Sequence, residues 1–328
     1  PNDRFRAAMN QYQARDAALE LRAVDGLDGD QLYVQPPNLE AFFEARARHP
    51  EAVLLAGGTD LGLAVTKHHR HFPVVIGLEA LPELETLVRT EAGWRIGARV
   101  SLTRIMETAG ADFPALHKML RWFGSRQIRS RATLGGNLGT ASPIGDMAPV
   151  LAALGAQIVL AGSGGERQLP LADFFTGYRS TALSGDELIL AVEIPFTPDA
   201  AYCSSFKVSK RREMDISSVS AGMYVELVDG RVHDVRLHYG GVAAKAAARA
   251  THAEDALRGK VWDETAVEAA MVALDHDFSP LSDQRGSAHY RTLVARNLLL
   301  GFYEESRSPD RGRLEPRPVG TAYVGGQA

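Results

Sequence analysis

The sequence predicts an α+β protein, with a larger domain of two subdomains over residues 31–200 and a smaller α+β domain over 201–305. Three observations carry this. A chain of 328 residues with 45% hydrophobic residues can bury more than one core and by size divides into about two domains. Before residue 200, short apolar runs alternate with helix-period segments, whereas after it strands come as a run and helices follow, the order of a separate α+β unit. The glycine-rich stretches match neither a Gly-x-x-x-x-Gly-Lys-Ser/Thr phosphate loop nor a Gly-x-Gly-x-x-Gly turn after a first strand, so kinase-type and doubly wound dinucleotide domains are disfavoured.

In chain order, residues 1–30 are polar and read as a connector, with an amphipathic helix from Arg4 to Arg22 and a break at Gly26-Leu27-Asp28-Gly29-Asp30. Leu32-Tyr33-Val34 opens the globular part, and Asn38 caps a helix whose Leu39, Phe42 and Phe43 share a face. A strand from Ala52 to Ala56, a helix from Leu61 and the strand Val74-Val75-Ile76 form a small α/β unit. Leu84 to Val88 and Trp94 to Gly97 flank a hairpin turn, and helices follow near Leu102 to Thr108 and Ala115 to Phe123. Gln157 to Leu160 and Arg167 to Leu169 surround the turn glycines 162, 164 and 165, and Glu187 to Pro195 is a strand. Beyond residue 200, strands at Ser204 to Val208, Ser218 to Val228 and Val232 to Tyr239 include the hairpin signal Asp229-Gly230. Helices then cover Thr251 to Leu257, Glu264 to Leu274 and Ala288 to Tyr303, and the Pro-, Gly- and Arg-containing segment 306–328 reads as a flexible tail.

The chain is organised around Thr133-Leu134-Gly135-Gly136-Asn137-Leu138-Gly139-Thr140-Ala141-Ser142-Pro143-Ile144-Gly145-Asp146. Small residues, hydroxyls, one amide and one carboxylate follow one another without helix or strand periodicity, the composition of a loop wrapped on a ligand. Glycine permits positive φ and close approach, and successive backbone N–H groups can form an anion-binding concavity. Leu55-Ala56-Gly57-Gly58-Thr59-Asp60-Leu61-Gly62 repeats this logic before a helix. Two such stretches suggest one extended diphosphate ligand.

Composition removes several function classes. A net charge of −4 and a pI near 6.2 give no basic face for nucleic acid. One cysteine, Cys203, excludes an internal disulfide and a cysteine-ligated zinc or iron–sulfur site within these residues, and it points to a reducing, cytoplasmic setting. No apolar run reaches membrane-spanning length, so no membrane partner is expected. Lys67-His68-His69-Arg70-His71 reads as a surface segment rather than a metal site, because its ligands are crowded by cations. The sequence starts at Pro1, so it reads as a piece of something larger.

These residues resemble the FAD-binding domain of the molybdenum hydroxylases, and within it that of the xanthine dehydrogenases. The resemblance rests on 55–62, on Leu120-Arg121-Trp122-Phe123 leading to Gln127-Ile128-Arg129, on Leu134-Gly135-Gly136-Asn137 with Ser142-Pro143-Ile144-Gly145-Asp146, on Phe174-Phe175-Thr176-Gly177-Tyr178-Arg179, and on Phe206-Lys207 with Arg211-Arg212, in order over roughly 30 to 305. It implies a two-subdomain FAD-binding fold of the PCMH type. It further implies that Leu55, Ala56, Gly57, Gly58, Thr59, Asp60, Leu61 and Gly62, together with Gly136 and Asn137, cradle the FAD diphosphate, with hydroxyls from Thr133 and Ser142. Asp146 would grip the adenosine ribose; by its position it could equally cap the following helix. Phe123 would lie against the flavin ring, though an aromatic ending a helix is by itself usually core. Ile189 and Lys207 match further flavin-pocket positions, and Tyr178 and Arg179 stand beside the nicotinamide nucleotide.

The expectation is the FAD-bearing part of a xanthine dehydrogenase: purine hydroxylation at a molybdenum centre elsewhere, electrons through iron–sulfur clusters to FAD, and hydride to NAD. Residues 1–30 would lead from a [2Fe–2S] domain, and the partners would be that domain and a molybdopterin-binding subunit of a hetero-oligomer. Animal members carry an acidic pair before the position of Ile216, where this chain has Met214-Asp215. Two alternatives stay open, the flavin subunit of a carbon monoxide, aromatic or aldehyde hydroxylase with another acceptor, and a non-catalytic nucleotide-binding scaffold.

Overall fold

A computed structural model describes residues 18–23 and 29–307. The expected helix from Arg4 therefore lies mostly outside the described residues, as do part of the break and nearly all of the tail. At its end, however, the chain is extended. Leu19–Ala23 (β1) pairs antiparallel with Gln31–Gln35 (β2), Leu21 opposite Tyr33. Leu19 and Leu21 alternate with Glu20 and Arg22, a period of two that suits an edge strand.

The first subdomain alternates strand and helix. Leu39–Arg48 (α1), Val53–Leu55 (β3), Leu61–His68 (α2) and Val74–Gly77 (β4) follow β2, giving a sheet in the order β1-β2-β4-β3 with β4 parallel to both neighbours. Helix α1 forms where expected because Asn38 accepts the Ala41 N–H at 2.9 Å and Phe42 is fully buried.

The second subdomain carries an antiparallel sheet of five strands, β5 (Leu87–Arg89), β6 (Gly93–Gly97), β7 (Gln157–Gly162), β8 (Gly165–Pro170) and β11 (Leu188–Pro195), in the order β5-β6-β11-β7-β8. The expected strand from Leu84 begins only at Leu87, because Pro82–Glu85 forms a 3-10 turn with Leu84 buried. Between β6 and β7 the chain runs through five helices, Leu102–Thr108 (α3), Pro114–Trp122 (α4), Arg126–Arg131 (α5), Leu134–Gly139 (α6) and Met147–Ala153 (α7). Between β8 and β11 stand the short helix Leu171–Phe174 (α8) and the small hairpin Phe175–Gly177 (β9) and Ser180–Thr181 (β10). The organising stretch is thus not a plain loop. Its first half is α6, closed by the Thr133 hydroxyl, which accepts the Gly136 N–H at 3.1 Å.

The last part is a four-stranded antiparallel sheet, β12 (Ala201–Val208), β13 (Val219–Val228), β14 (Arg231–Gly240) and β15 (Ala248–Arg249), backed by α9 (Thr251–Leu257), α10 (Glu264–Asp277) and α11 (Ala288–Arg307). Asp229 and Gly230 turn β13 into β14 with φ of 51° and 72°, the pair of positive values that a two-residue hairpin requires. Two buried clusters follow this division. One runs from Phe42 to Ile194 and takes in Ala246 and Ala247, and the other gathers Val219 to Tyr303. Helix α7 joins them, with all seven residues buried. Gly222 of β13 lets it approach, since a Cβ there would come within 2.5 Å of the Pro149 carbonyl carbon.

Histidine 238 lies inside this second part, 2% exposed, with Nδ1 3.2 Å from the Ala247 carbonyl oxygen. The carbonyl can only accept, so Nδ1 carries a proton. Burial lowers the imidazole pKa to about 4, helped by Arg249, Arg236 and Lys245 and opposed by the carbonyl. A depressed folded-state pKa means that the unfolded chain binds the proton first, so stability present above about pH 6.5 is lost as pH falls towards 4. The loss is about 3 kcal/mol by pH 4. His238→Gln should flatten this slope in urea unfolding between pH 7 and 4, and an unchanged slope would assign the acid sensitivity to other groups.

Candidate dinucleotide site

Strand β3 ends at Leu55 and delivers the first glycine stretch to the start of α2. Gly58 has a φ of 73°, and its carbonyl accepts the Gly62 N–H at 2.8 Å. Gly57 is seated against the end of α5, where an added Cβ would overlap the Arg131 carbonyl oxygen and stand 2.9 Å from its carbon. The first stretch is thereby fixed beside Ala132 and Thr133, where the second begins. Thr59 is half-buried, and Asp60, exposed at the start of α2, makes no capping bond. A Cβ at Gly62 would meet nothing within 4 Å, and no acidic residue stands in the first turn. This end of α2 offers backbone N–H donors and the positive end of a helix dipole to an anion.

In the second stretch Gly135 presses on the turn after β6, its N–H donating to the Ala98 carbonyl at 2.7 Å. This tertiary contact, with the Thr133 cap, makes a helix from residues of low helix propensity. Gly136 and Gly139 face outward, and a Cβ at Gly139 would lie 3.6 Å from Ile189 Cδ1, which places Ile189 of β11 beside α6. Asn137 Oδ1 is buried with no hydrogen-bond partner among the described residues. An orphan acceptor of this kind is costly unless a ligand donates to it. Ala141 has a φ of 44°, and the half-buried Ser142 closes the following turn through its carbonyl to the Gly145 N–H at 2.9 Å.

Asp146 does not cap α7 with its side chain. Instead Oδ2 accepts from Lys207 Nζ at 2.6 Å and Oδ1 from Ser217 Oγ at 2.5 Å, with Asp146 and Lys207 side chains 6% and 7% exposed. The chain enters α7 with Asp146 in helical conformation, so the carboxylate turns towards β12. A carboxylate beside a diphosphate would be repulsive; this one is neutralised by its own lysine, and its two oxygens keep capacity for a ribose hydroxyl. Phe123 is half-buried at the end of α4, where Arg129 Nη1 donates to its carbonyl at 2.7 Å. Burial lowers the Arg129 pKa.

Tyr178 and Arg179 form the tip between β9 and β10. Tyr178 is 68% exposed, Arg179 has a φ of 48°, and neither side chain makes a hydrogen bond or ion pair with the described residues. Contacts thus join Gly57 to the start of the second stretch, Gly139 to Ile189 and Asp146 to Lys207, whereas the Tyr178-Arg179 tip is tied to none of them. Lys67 to Arg70 are exposed at the end of α2. Sequence reasoning missed Ser217 and Arg129. The first sits in a run of serines with no local signal, and the second lay within a resembling motif without an assigned role.

Two glycine seats, an open helix start, an orphan amide oxygen and a neutralised carboxylate form a set suited to an extended phosphate-bearing cofactor. The donor set fits FAD. Residues 23–197 match the family described as FAD binding domain in molybdopterin dehydrogenase, and residues 204–306 match the CO dehydrogenase flavoprotein C-terminal domain. The chain belongs to this FAD-binding family of the molybdenum hydroxylases. It is 34% identical over 288 residues to the xanthine dehydrogenase/oxidase of Gallus gallus (83% of this chain, 21% of that protein) and 35% identical over 307 residues to the xanthine dehydrogenase of Oryza sativa subsp. japonica (87% and 22%). It therefore spans about a fifth of the length of these relatives. Among solved structures, the carbon monoxide dehydrogenase from Hydrogenophaga pseudoflava has a TM-score of 0.77 at 26% identity, covering 81% of this chain and 93% of that one. The quinoline 2-oxidoreductase from Pseudomonas putida 86 has 0.76 at 28% identity, covering 83% and 95%. Among the described residues no helix is long and apolar enough to cross a membrane.

Proposed function

We propose that the chain is the FAD-bearing, electron-transfer part of a xanthine dehydrogenase. Electrons from purine hydroxylation at a separate molybdenum centre would leave through [2Fe–2S] clusters and this domain to NAD. The orphaned Asn137 Oδ1, together with a start of α2 whose first turn holds no acidic residue, is the observation that carries the FAD site. The xanthine assignment is supported by the relatives of 34% and 35% identity, and the NAD assignment by the exposed Tyr178-Arg179 tip. Bound FAD supplies reversible two-electron exchange between one-electron carriers and a hydride acceptor.

The chain's own residues bind and orient. Backbone N–H groups of residues 57–61 would neutralise the diphosphate, with Gly62, Gly136, Asn137, Thr133 and Ser142 beside them. Asp146, held by Lys207 and Ser217, would take the ribose. Ile189 and Phe123 would wall the ring and exclude water, and Arg129 fixes the backbone of Phe123. The exposed Tyr178 ring and Arg179 guanidinium would receive the nicotinamide nucleotide by stacking and phosphate contact. Partners would be a [2Fe–2S] domain and a molybdopterin-binding subunit in a cytoplasmic hetero-oligomer.

The test is anaerobic titration of FAD-loaded protein with NADH. Bleaching of the flavin band is expected, and Tyr178→Ala should require about tenfold more NADH while keeping its flavin content. A flavin that stays oxidised under excess NADH would instead favour the carbon monoxide, aromatic or aldehyde class of hydroxylase with another acceptor, towards which the two solved neighbours lean. Protein that binds ADP but neither contains nor takes up FAD would leave the scaffold reading.

A further inference from the structure

The end of the second glycine stretch is held from outside at two points. At Pro143 the carbonyl accepts the Gly241 N–H at 2.8 Å, and at Asp146 the carboxylate accepts from Ser217 Oγ at 2.5 Å and from Lys207 Nζ at 2.6 Å. Gly241 directly follows β14, and Ser217 stands two residues before β13. Residues 143–146, which carry the carboxylate assigned to the ribose, are therefore bracketed by the neighbouring ends of two paired strands.

Those ends converge closely. Gly241 has a φ of 81°, and a Cβ there would overlap the Ser218 carbonyl oxygen. From α11, Arg291 reaches both with one nitrogen: Nη1 donates to the Ser218 carbonyl and, at 2.8 Å, to the Gly241 carbonyl. Two carbonyl dipoles aimed at one point repel each other, and a cationic donor between them replaces that repulsion with two charge-assisted hydrogen bonds. Arg291 is 3% exposed, and its Nη2 donates to Asp283 Oδ1 at 2.7 Å. Asp283 is itself fixed, because the same oxygen accepts the Arg285 and Gly286 N–H groups at 2.8 and 3.2 Å, while Ser218 Oγ donates to the Arg285 carbonyl at 3.0 Å. Arg291 Nε, in contrast, is buried with no hydrogen-bond partner among the described residues. The guanidinium is thus placed to serve its two Nη groups, a planar fork that an ammonium does not reproduce.

We propose that Arg291 is a positioning residue for the cofactor. By clamping the Ser218 and Gly241 carbonyls it fixes Ser217 and Pro143 together, and so aims the Asp146 carboxylate at the hydroxyls of the adenosine ribose. This rests on the FAD reading. A residue that only tethered α11 to the sheet would change stability without changing what those hydroxyls contribute to binding.

The test compares, on the flavin-free chain, the affinity for FAD with that for an FAD analogue lacking both hydroxyls of the adenosine ribose, by quenching of flavin fluorescence. The wild type should prefer FAD by about tenfold, the worth of a hydrogen bond to a charged group. Arg291→Met should bind FAD about tenfold more weakly than the wild type and the analogue equally well, so that the preference vanishes. Asp283→Asn, a change at an exposed carboxylate that leaves Arg291 in place, should reduce the preference about threefold and serves if Arg291→Met does not fold. Asp275→Asn, which releases Arg296 of the same helix from α10, should leave it intact. A preference of wild-type size in folded Arg291→Met or in Asp283→Asn, an equal loss of affinity for both flavins, or a lost preference in Asp275→Asn would each overturn the proposal. A wild type indifferent to the hydroxyls would overturn the ribose role of Asp146 and the clamp with it, and a wild type that takes up neither flavin would overturn the FAD site itself.

Discussion

Gly57→Ala should yield a protein without flavin and about 3 kcal/mol or more less stable than the wild type, whereas Gly62→Ala should fold as well as the wild type yet hold FAD weakly. The two glycines stand five residues apart in one stretch and serve different needs. At Gly57 a methyl group would overlap the Arg131 carbonyl oxygen, and backbone cannot swing aside as a flexible side chain can. Relief requires α5 and the start of α6 to shift, which would displace Thr133 and Asn137 together. At Gly62 the same methyl group enters open space on a helix surface, where alanine is preferred over glycine by about 1 kcal/mol. A loss of affinity there can come only from something that occupies the space in the bound state. Thermal unfolding of the flavin-free proteins, and the ratio of flavin to protein absorbance after gel filtration, separate the cases. Full flavin occupancy in Gly57→Ala would refute the seating of the two stretches, and full occupancy in Gly62→Ala would place the diphosphate elsewhere.

Asp146→Ala should cost about 3–5 kcal/mol, because it strands a 7% exposed lysine with no carboxylate. Adding Lys207→Met should recover most of that stability by removing the stranded charge. The double variant should nevertheless stay poor in flavin, since the carboxylate proposed to take the ribose is gone. Chemical unfolding of both single variants and the double closes the cycle. If Asp146→Ala alone were as stable as the wild type, the pair would be no anchor between α7 and β12; if the double variant kept its FAD, Asp146 would not serve the ribose.

Local chemistry was readable from the sequence wherever neighbours in the chain settle it. Asp229-Gly230 dictates its hairpin through two positive φ values, and Asn38, Ser101, Ser125 and Asp263 each close a helix start by accepting a nearby N–H. The composition of 133–146 reads as a ligand loop and gives no sign that 134–139 would coil, because α6 owes its shape to Ala98, in the turn after β6. The edge strand Leu19–Ala23 escaped for a related reason: charged residues on both sides suggested a helix, and only the partner β2 makes extension favourable. Asp146 shows the limit most clearly. Its partners lie 61 and 71 residues onward, so adjacency could suggest a cap but no sequence rule could reveal the lysine.

Helix α7 bears on how such a chain can be inherited and recombined. Its seven buried residues face one core on one side and Gly222 of β13 on the other, and its first turn begins at a carboxylate held by β12. The two segments matched by separate family descriptions therefore meet along a tailored seam. Exchanging residues 204–306 with those of a relative would succeed only where the incoming segment brings both the missing side chain at 222 and the lysine at 207. A graft lacking either would fail at the seam while each half kept an intact core, so the unit of exchange is the joined pair.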